Sequence, residues 1–377
     1  MAQDKDQKTL NVPPLRFPGF TDEWKKTTLG DISVSISSGK SGNPIEDGDY
    51  YLYGSTGIIG LTDNGDYDGE KILVARVGAN AGRINYNNCR CGITDNTLII
   101  RIKEYSTKFI YFHLIHSNLN RLVFGSGQPL ITGGMLKKLS IGLPSSKECD
   151  KIVSLLNCIE ERIATQNKII EDLKKLKSAI IDIVIGKSDF PKIRFEEIYD
   201  RAGEGGTPAT STQEYYLNGK IPFVKIEDLA NKYLVSSKDF ITELGLCKSS
   251  TWVVPTNSII YSNGATIGAI SINKIPVCTK QGILGIVPKE KYHVEYLYYL
   301  MTTTYFRKQI ERIVTEGTMR TAYLKDINHI ECPIPDLETQ KKIASMLRNL
   351  SNKLELEQSI LTNHTNQKRF VLSSMFI

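Results

Sequence analysis

The second half of the chain repeats the first at a fixed distance, and this duplication limits the possible folds more than any other feature. Leu143-Pro144 precedes a long helical pattern that continues to Val184, and Ile334-Pro335 precedes a similar pattern that continues to Met375. The two patterns are offset by 191 residues in a chain of 377 residues. This offset predicts two copies of one structural unit.

Apolar residues in both helical patterns recur at spacings of three and four, which is typical of a coiled-coil seam. Polar residues interrupt the seams at matching positions, Gln166 with Glu357 and Lys177 with Lys368. Matched polar seam residues fix register and partner choice. Two unrelated amphipathic surface helices would not keep a constant offset. The predicted seam includes Ile152, Leu156, Ile159, Ile163, Ile170, Leu173, Ile180, Leu347, Leu350, Leu354, Leu361 and Val371.

The segments before the helices predict a mixed α/β (α+β) domain in each half. A buried strand leads into a Gly-Ala-x-x-Gly turn at 78–82 and again at 264–268. Each turn precedes a strand (83–86; 269–272), a β-rich stretch (98–102; 283–287) and a short aromatic helix (109–116; 294–301). We therefore predict globular domains at 15–144 and 187–335, with spacer helices at 145–186 and 336–377.

The length and order of the helices predict their geometry. A helix of ~34 residues is about 50 Å long. Because the first helix leads from one domain to the other, a second helix that pairs with it must run back, antiparallel. The halves are then related by a pseudo-two-fold axis and separated by the two spacer helices. On B-DNA this distance is about 13–15 base pairs, which suits a protein that reads two half-sites across a gap.

Composition predicts a soluble, cytoplasmic protein without a membrane span. The content of 41% hydrophobic and 23% charged residues excludes wholesale disorder. The best apolar run, at 179–186, contains Asp182 and is shorter than the ~18–20 residues that a span needs. The first ten residues are polar, without the apolar core of a signal peptide. Seven cysteines without a CxxC pair are typical of reduced thiols.

Motifs for catalysis and for metal binding are missing from the sequence. Gly39-Lys40-Ser41 and Gly186-Lys187-Ser188 end like P-loops, but Val34 and Ile181 occupy the first-glycine positions. Residues 11–15 only imitate the Asn-Pro-Pro loop of adenine methyltransferases. The pairs Cys89/Cys91 and His113/His116 are better explained by a surface loop and a helix than by zinc. We expect no enzymatic activity and no metal, and the net charge of +6 permits nucleic-acid binding without requiring it.

Several motifs together resemble the DNA specificity subunit of type I restriction-modification systems. Residues 16–24, with Leu29-Gly30-Asp31-Ile32, are similar to the usual start of such subunits. Residues 53–60 are similar to one type of target-recognition domain, and the segments 205–208, 215–216, 219–223 and 241–246 are similar to another. The two Leu/Ile-Pro helices resemble the spacer regions. The family often has a Glu-Gln pair after the proline, of which Glu148-Cys149 and Thr339-Gln340 each keep one residue.

The resemblance implies two target-recognition domains, each of which reads half of a bipartite site in double-stranded DNA. It implies that the spacer helices hold two methyltransferase (M) subunits, which methylate adenine with S-adenosylmethionine. Restriction (R) subunits, which use ATP with magnesium, would join this core. These cofactors belong to the partners, so we expect none on this chain.

Base-edge donors and acceptors, together with cations for phosphates, indicate the residues that would contact DNA. Each also has a structural interpretation, as a turn residue beside glycine or as a solvated lysine. Outward residues Ile169, Ile181 and Ile360 would form the partner surface or broaden the seam. The predicted DNA-binding residues are Lys40, Ser55, Arg76, Asn80, Arg83, Gln128, Thr207, Thr210, Lys225, Asn263, Thr266, Lys280 and Arg320.

Two other functions stay open on the sequence. A self-contained DNA-modifying enzyme with diverged motifs predicts that the chain alone binds S-adenosylmethionine. A two-headed coiled-coil scaffold for proteins predicts no DNA affinity, whereas phosphate contacts make log affinity fall with log salt concentration.

Overall fold

The computed structural model describes residues 11–123, 129–186, 189–264, 266–314 and 320–377. These residues form two compact units. Unit 1 comprises the described residues up to Asn167 together with Ser359–Ile377, and unit 2 comprises Lys168–Gln358. The predicted boundaries treat each spacer helix as a separate domain. In the structure, each compact unit instead contains part of both helices.

Unit 1 is a mixed α/β domain built on two small sheets. Its larger sheet has the strand order β2-β8-β5-β6 and its smaller sheet β4-β3-β7, while β1 pairs with β9. The elements are β1 (Lys25–Thr28), α1 (Leu29–Ile32), β2 (Ser33–Ser38), β3 (Tyr50–Gly54), β4 (Gly57–Thr62), β5 (Lys71–Ala75), β6 (Ile84–Asn87), β7 (Gly92–Ile93), β8 (Thr97–Ile102), α2 (Thr107–His116), α3 (Gly133–Lys137), β9 (Ser140–Leu143) and the first part of α4 (Ser146–Ile181).

Unit 2 follows the end of α4, which closes in a π-helical turn at Asp182–Gly186. Its sheets have the orders β11-β18-β15-β16-β13 and β14-β12-β17, while β10 pairs with β19. The elements are β10 (Lys192–Arg194), β11 (Tyr199–Glu204), β12 (Ile221–Val224), β13 (Tyr233–Leu234), β14 (Asp239–Ile241), α5 (Glu243–Cys247), β15 (Ile259–Ser262), β16 (Ile270–Asn273), β17 (Cys278–Thr279), β18 (Ile283–Pro288), α6 (Val294–Thr302), α7 (Thr304–Ile313), α8 (Leu324–Ile327), β19 (Glu331–Pro333) and α9 (Leu337–Ser374).

The two units share one topology, which confirms the predicted duplication. The order β2-β8-β5-β6 corresponds to β11-β18-β15-β16, and both smaller sheets combine one antiparallel with one parallel pair. In the central strands Ile72 pairs with Tyr86 and Ile100, as Ile259 pairs with Ile272 and Ile286. β5 and β15 are buried along their whole length, which accounts for their apolar runs at 72–75 and 259–261. Unit 2 adds β13, parallel to β16.

In both units the start of one long helix packs against the end of the other. In unit 1, Ile152 and Leu156 of α4 share a core with Val371 of α9. In unit 2, Ile181 of α4 shares a core with Leu347 of α9. The predicted seam residues are all buried or half-buried. Antiparallel pairing was expected, because the first helix leads to the second domain.

Ile181 was predicted either to form the partner surface or to broaden the seam. It is only 7% exposed and belongs to the core of unit 2, so the partner-surface alternative is excluded for this residue. Within the described ranges, no helix is long and apolar enough to cross a membrane.

Candidate nucleic-acid interface

In unit 1, several loops meet at one end of the larger sheet, where β2 and β5 end and β8 and β6 begin. We call these loops the loop edge of unit 1: residues 39–41, 53–55, 76–83, 94–96 and 129–131. Main-chain hydrogen bonds hold them together. They run from Gly39 N to Thr97 O (3.0 Å), Arg76 N to Asn96 O (2.9 Å), Ile131 N to Arg76 O (2.8 Å), Thr94 N to Tyr53 O (2.9 Å) and Gly82 N to Ala75 O (2.9 Å).

Unit 2 has a matching loop edge, formed by residues 205–207, 224–225, 263–264, 266–268, 279–282 and 320–322. The same five connections recur on a different sequence. They run from Gly205 N to Ile283 O (3.0 Å), Asn263 N to Gly282 O (3.1 Å), Ala322 N to Asn263 O (2.9 Å), Lys280 N to Val224 O (3.0 Å) and Gly268 N to Ser262 O (3.0 Å). Arg76 and Asn263 therefore occupy equivalent backbone positions.

One glycine is required at the same place in each loop edge. A Cβ atom on Gly39 would overlap the carbonyl oxygen of Ile93, and a Cβ atom on Gly205 would overlap that of Thr279. Ile93 and Thr279 both end the short strand parallel to β3 or β12. Backbone approaches backbone here without space for a side chain. This explains why Gly39-Lys40-Ser41 resembles a P-loop ending without being one.

Most predicted DNA-binding residues lie on these two loop edges, and they differ in exposure. Gln128 lies outside the described residues, and Thr210 is exposed on the loop that follows Thr207. The exposed residues are Lys40, Arg83, Thr210, Thr266, Lys280 and Arg320, and the half-buried ones are Ser55, Arg76, Asn80, Thr207 and Lys225.

Two of the predicted residues already have protein partners. Asn263 is fully buried and its Nδ2 donates to the carbonyl oxygen of Ala322 at 3.1 Å. A buried amide cannot contact a base edge, so Asn263 holds the loop in place. Lys225 Nζ lies 2.9 Å from Asp239 Oδ1, and this hydrogen bond raises the pKa of Lys225. Its charge is partly neutralised within the unit.

The sequence reasoning missed three exposed residues at these edges. Asn96 and Gln281 lie in the loops that lead into β8 and β18. Asparagine and glutamine are the side chains that read adenine by two hydrogen bonds. Arg307 lines a cavity of about 230 Å³ with Arg320 and Gly268. A signal was available for the two amides, since each lies just ahead of a predicted strand.

The candidate metal pairs have other roles in the structure. His113 is buried, and its Nε2 accepts a hydrogen bond from Gly142 N at 3.2 Å. Burial lowers the pKa of His113 to about 4. Cys91 is buried and Cys89 is exposed. In the part of the chain that the structure describes, no group of three or more His, Cys, Asp or Glu residues could hold a metal ion.

Sequence comparison matches the chain twice to the family "Type I restriction modification DNA specificity domain", over residues 21–175 and 187–363. The chain is 33% identical over 176 residues to the type I restriction enzyme MjaIX specificity subunit of Methanocaldococcus jannaschii, covering 45% of this chain and 40% of that protein. It is 24% identical over 398 residues to the MjaVIII specificity subunit of the same organism, covering 94% and 91%.

Solved structures share the fold. The S subunit of a type I restriction-modification system from M. genitalium has a TM-score of 0.62 at 19% identity, with 97% of this chain and 99% of that chain covered. A chain from a structure of type I R-M complex assembly and conformational transition has a TM-score of 0.63 at 15% identity, with 95% and 98% covered. With two matched loop edges and two family matches over most of its length, the chain belongs to the type I restriction-modification DNA specificity family.

Proposed function

We propose that this chain is the sequence-recognition subunit of a type I restriction-modification complex and that each loop edge reads one half of a two-part DNA target. The matched loop edges carry this proposal, because one backbone arrangement presents two different sets of side chains. Exposed Lys40 and Arg83 in unit 1, and Lys280 and Arg320 in unit 2, suit phosphate contacts. Exposed Asn96 and Gln281 suit base-edge contacts.

The test is to co-express the chain with its neighbouring candidate methyltransferase subunit and to map adenine methylation on plasmid DNA. We expect a two-part motif with a fixed gap, which disappears when either protein is omitted. Asn96→Ala is expected to weaken base discrimination in one half of the motif, and Gln281→Ala in the other half. Each lost two-bond contact corresponds to about 1–3 kcal/mol of discrimination. A change in both halves from one substitution would contradict the assignment of one half-site to each loop edge.

Matched controls exist at the opposite end of the same strands. Lys103 follows β8 and Lys289 follows β18, and their N–H groups donate equivalently to Ile32 O and Ile198 O at 3.0 Å. Lys103→Ala and Lys289→Ala remove a cation from the same sheets without touching a loop edge. We expect both controls to leave the methylated motif unchanged.

The helix surface supports a second part of the proposal, that the spacer region binds the modification subunits. Ile169, Leu176 and Ile183 are 39%, 50% and 62% exposed and follow one another at seven-residue spacing. Exposed apolar residues at this spacing form one stripe, which is typical of a helix that packs against a partner helix. We expect the methyltransferase subunits to bind there, and restriction subunits to join through that assembly.

Leu176→Glu should abolish co-purification of the methyltransferase subunit, because a charge would replace an apolar contact. Lys175→Glu is the control, since Lys175 is its exposed neighbour. Retention of the subunit by Leu176→Glu would exclude this stripe as the docking surface.

Catalysis and cofactor binding are assigned to the partners. If the purified chain alone bound S-adenosylmethionine, a self-contained enzyme would be favoured. If it had no affinity for duplex DNA at low salt, the protein scaffold would be favoured. For the recognition subunit we expect log affinity to fall linearly with log salt concentration.

A further inference from the structure

The polar position that interrupts the helix seam is neutralised in unit 1. Lys368 Nζ lies 2.7 Å from Glu160 Oε1, and both side chains are mostly buried, at 22% and 33% exposed. The hydroxyl of Tyr111 lies 3.5 Å from the same carboxylate oxygen. The carboxylate of Glu160 therefore neutralises the charge of Lys368 and also contacts the phenol of Tyr111.

The repeat in unit 2 keeps the lysine and the tyrosine but replaces the carboxylate. Lys177 corresponds to Lys368 at the 191-residue offset, and Ser351 corresponds to Glu160. The hydroxyl of Tyr299 lies 3.4 Å from Ser351 Oγ. Among the described residues, no carboxylate lies within ion-pair distance of Lys177. The seam of unit 2 therefore holds a cation without the counter-charge that its repeat has.

Neighbouring cations increase this imbalance. Lys232 Nζ lies 2.9 Å and Arg348 Nε lies 3.1 Å from the same oxygen, Oε2 of Glu295. One carboxylate thus serves two cations. Burial, followed by the charge of Lys232, lowers the pKa of Lys177, while Glu355 raises it. The positive charge at Lys177 is accordingly disfavoured by its surroundings.

These groups surround a cavity of about 240 Å³ that lies entirely within unit 2. Its lining includes four cations and one carboxylate, Glu355, together with a hydroxyl and an amide: Lys174, Lys177, Lys232, Arg348, Ser351 and Asn352. Cations, a hydroxyl and an amide on one concave surface can all donate hydrogen bonds to an oxyanion. We propose that this cavity binds a small phosphate-type oxyanion, which supplies the negative charge that Glu160 supplies in unit 1.

The cavity favours a free ion over the backbone of a DNA duplex. The side chain of Lys232 is 14% exposed, so a ligand must enter the cavity to reach it. A phosphate ion is small enough to do so. The proposal is independent of the function assigned to the loop edges.

The repeat itself supplies the test. Inorganic phosphate is titrated calorimetrically into the full chain at constant ionic strength, with chloride as the balancing ion. We expect one site on the wild-type chain. Ser351→Glu introduces the carboxylate of unit 1 and should weaken phosphate binding at least tenfold.

Two further variants separate binding from folding. Ser351→Ala is the matched control: it removes one hydroxyl donor but adds no charge, so it should weaken phosphate binding far less than Ser351→Glu does. Lys177→Met removes the half-buried cation from the seam, so it should weaken phosphate binding and raise the melting temperature. Absence of phosphate binding by the wild type, or unchanged affinity in Ser351→Glu, would overturn the proposal. Competition between phosphate and non-target duplex that disappears in Ser351→Glu would also overturn it, in favour of a DNA backbone contact.

Discussion

The first turns of the two long helices show how the repeats attach a helix through neighbouring positions with different chemistry. In unit 1 the first turn of α4 carries Glu148, which is 1% exposed. Arg16 donates to it through Nε and Nη2 at 2.8 and 2.7 Å, and Trp24 donates through Nε1 at 3.1 Å. In unit 2 the first turn of α9 carries Gln340, also 1% exposed.

Gln340 makes neutral hydrogen bonds. It accepts from His293 N and donates to Pro335 O, both at 2.8 Å. Both residues attach a helix to its domain, one by an ion pair and the other by an amide. A buried ion pair depends far more on the presence of both partners than a neutral hydrogen bond does. The two units should therefore respond differently when these attachments are broken.

The largest difference is expected when each attachment is broken. Arg16→Met leaves Glu148 buried without its cation and should lower the free energy of unfolding by about 3–5 kcal/mol. Gln340→Ala should cost about 1–3 kcal/mol. Urea denaturation measures both, with Lys147→Met as the control because Lys147 is exposed beside Glu148. Equal losses from the two substitutions would remove the distinction between the attachments.

Substitutions at two equivalent leucines of the helix seam should destabilise the two units to the same degree. Leu156 and Leu347 are related by the 191-residue offset and both are 0% exposed. Leu→Ala at either position should cost about 2–5 kcal/mol, since each leaves a cavity in a packed core. Hydrogen exchange should place the loss in unit 1 for Leu156→Ala and in unit 2 for Leu347→Ala. Leu176→Ala, at a residue that is 50% exposed, should change stability by less than about 0.5 kcal/mol.

At acid pH the stabilities of the two units should differ again. Burial lowers the pKa of His113 to about 4, whereas unfolded histidine titrates near 6.5. Its contribution is therefore present above pH 6.5 and is lost as the pH falls towards 4, by up to about 3 kcal/mol. Hydrogen exchange across this range should show unit 1 opening first, and His113→Gln should reduce the effect. Burial also lowers the pKa of His293 in unit 2. Because His293 is only partly buried, we expect unit 2 to lose less stability in acid than unit 1.

The smallest expected difference concerns two lysines of the unit 2 loop edge. Lys280 is exposed, whereas Lys225 is held by Asp239. Lys280→Ala should reduce the slope of log affinity against log salt by about 1, as expected for one lost phosphate contact. Lys225→Ala should reduce it by less than half as much, because Asp239 already neutralises part of that charge. An equal reduction would show that DNA displaces Asp239.

Much of the fold was predictable because it depends on periodic patterns. The predicted strands at 98–102 and 283–287 correspond to β8 and β18, and the predicted helices at 109–116 and 294–301 correspond to α2 and α6. The Gly-Ala-x-x-Gly turns were recognised from their repeated motif, and in the structure Gly82 and Gly268 adopt positive φ angles, which glycine permits. Local sequence is sufficient for such features.

The side chains at the loop edges were less predictable, because their exposure depends on distant residues. The burial of Asn263 depends on Ala322, and the neutralisation of Lys225 depends on Asp239. Asn96 and Gln281 lie at the loop edges because β8 and β18, which are interior strands of their sheets, begin there. No spacing rule links these pairs. Residue type indicated the chemistry of the interface, while tertiary structure selected the residues that are available.

The main-chain construction of the loop edges has a consequence for how specificity changes over evolutionary time. The five connections that recur in both units join N–H and carbonyl groups, and apart from the required glycine they place little demand on side chains. Exposed positions such as Asn96 and Gln281 can therefore mutate at little cost to folding. Under the proposed function, new target preferences can accumulate one half at a time, and exchange of a whole unit between relatives would combine two existing preferences in a single step.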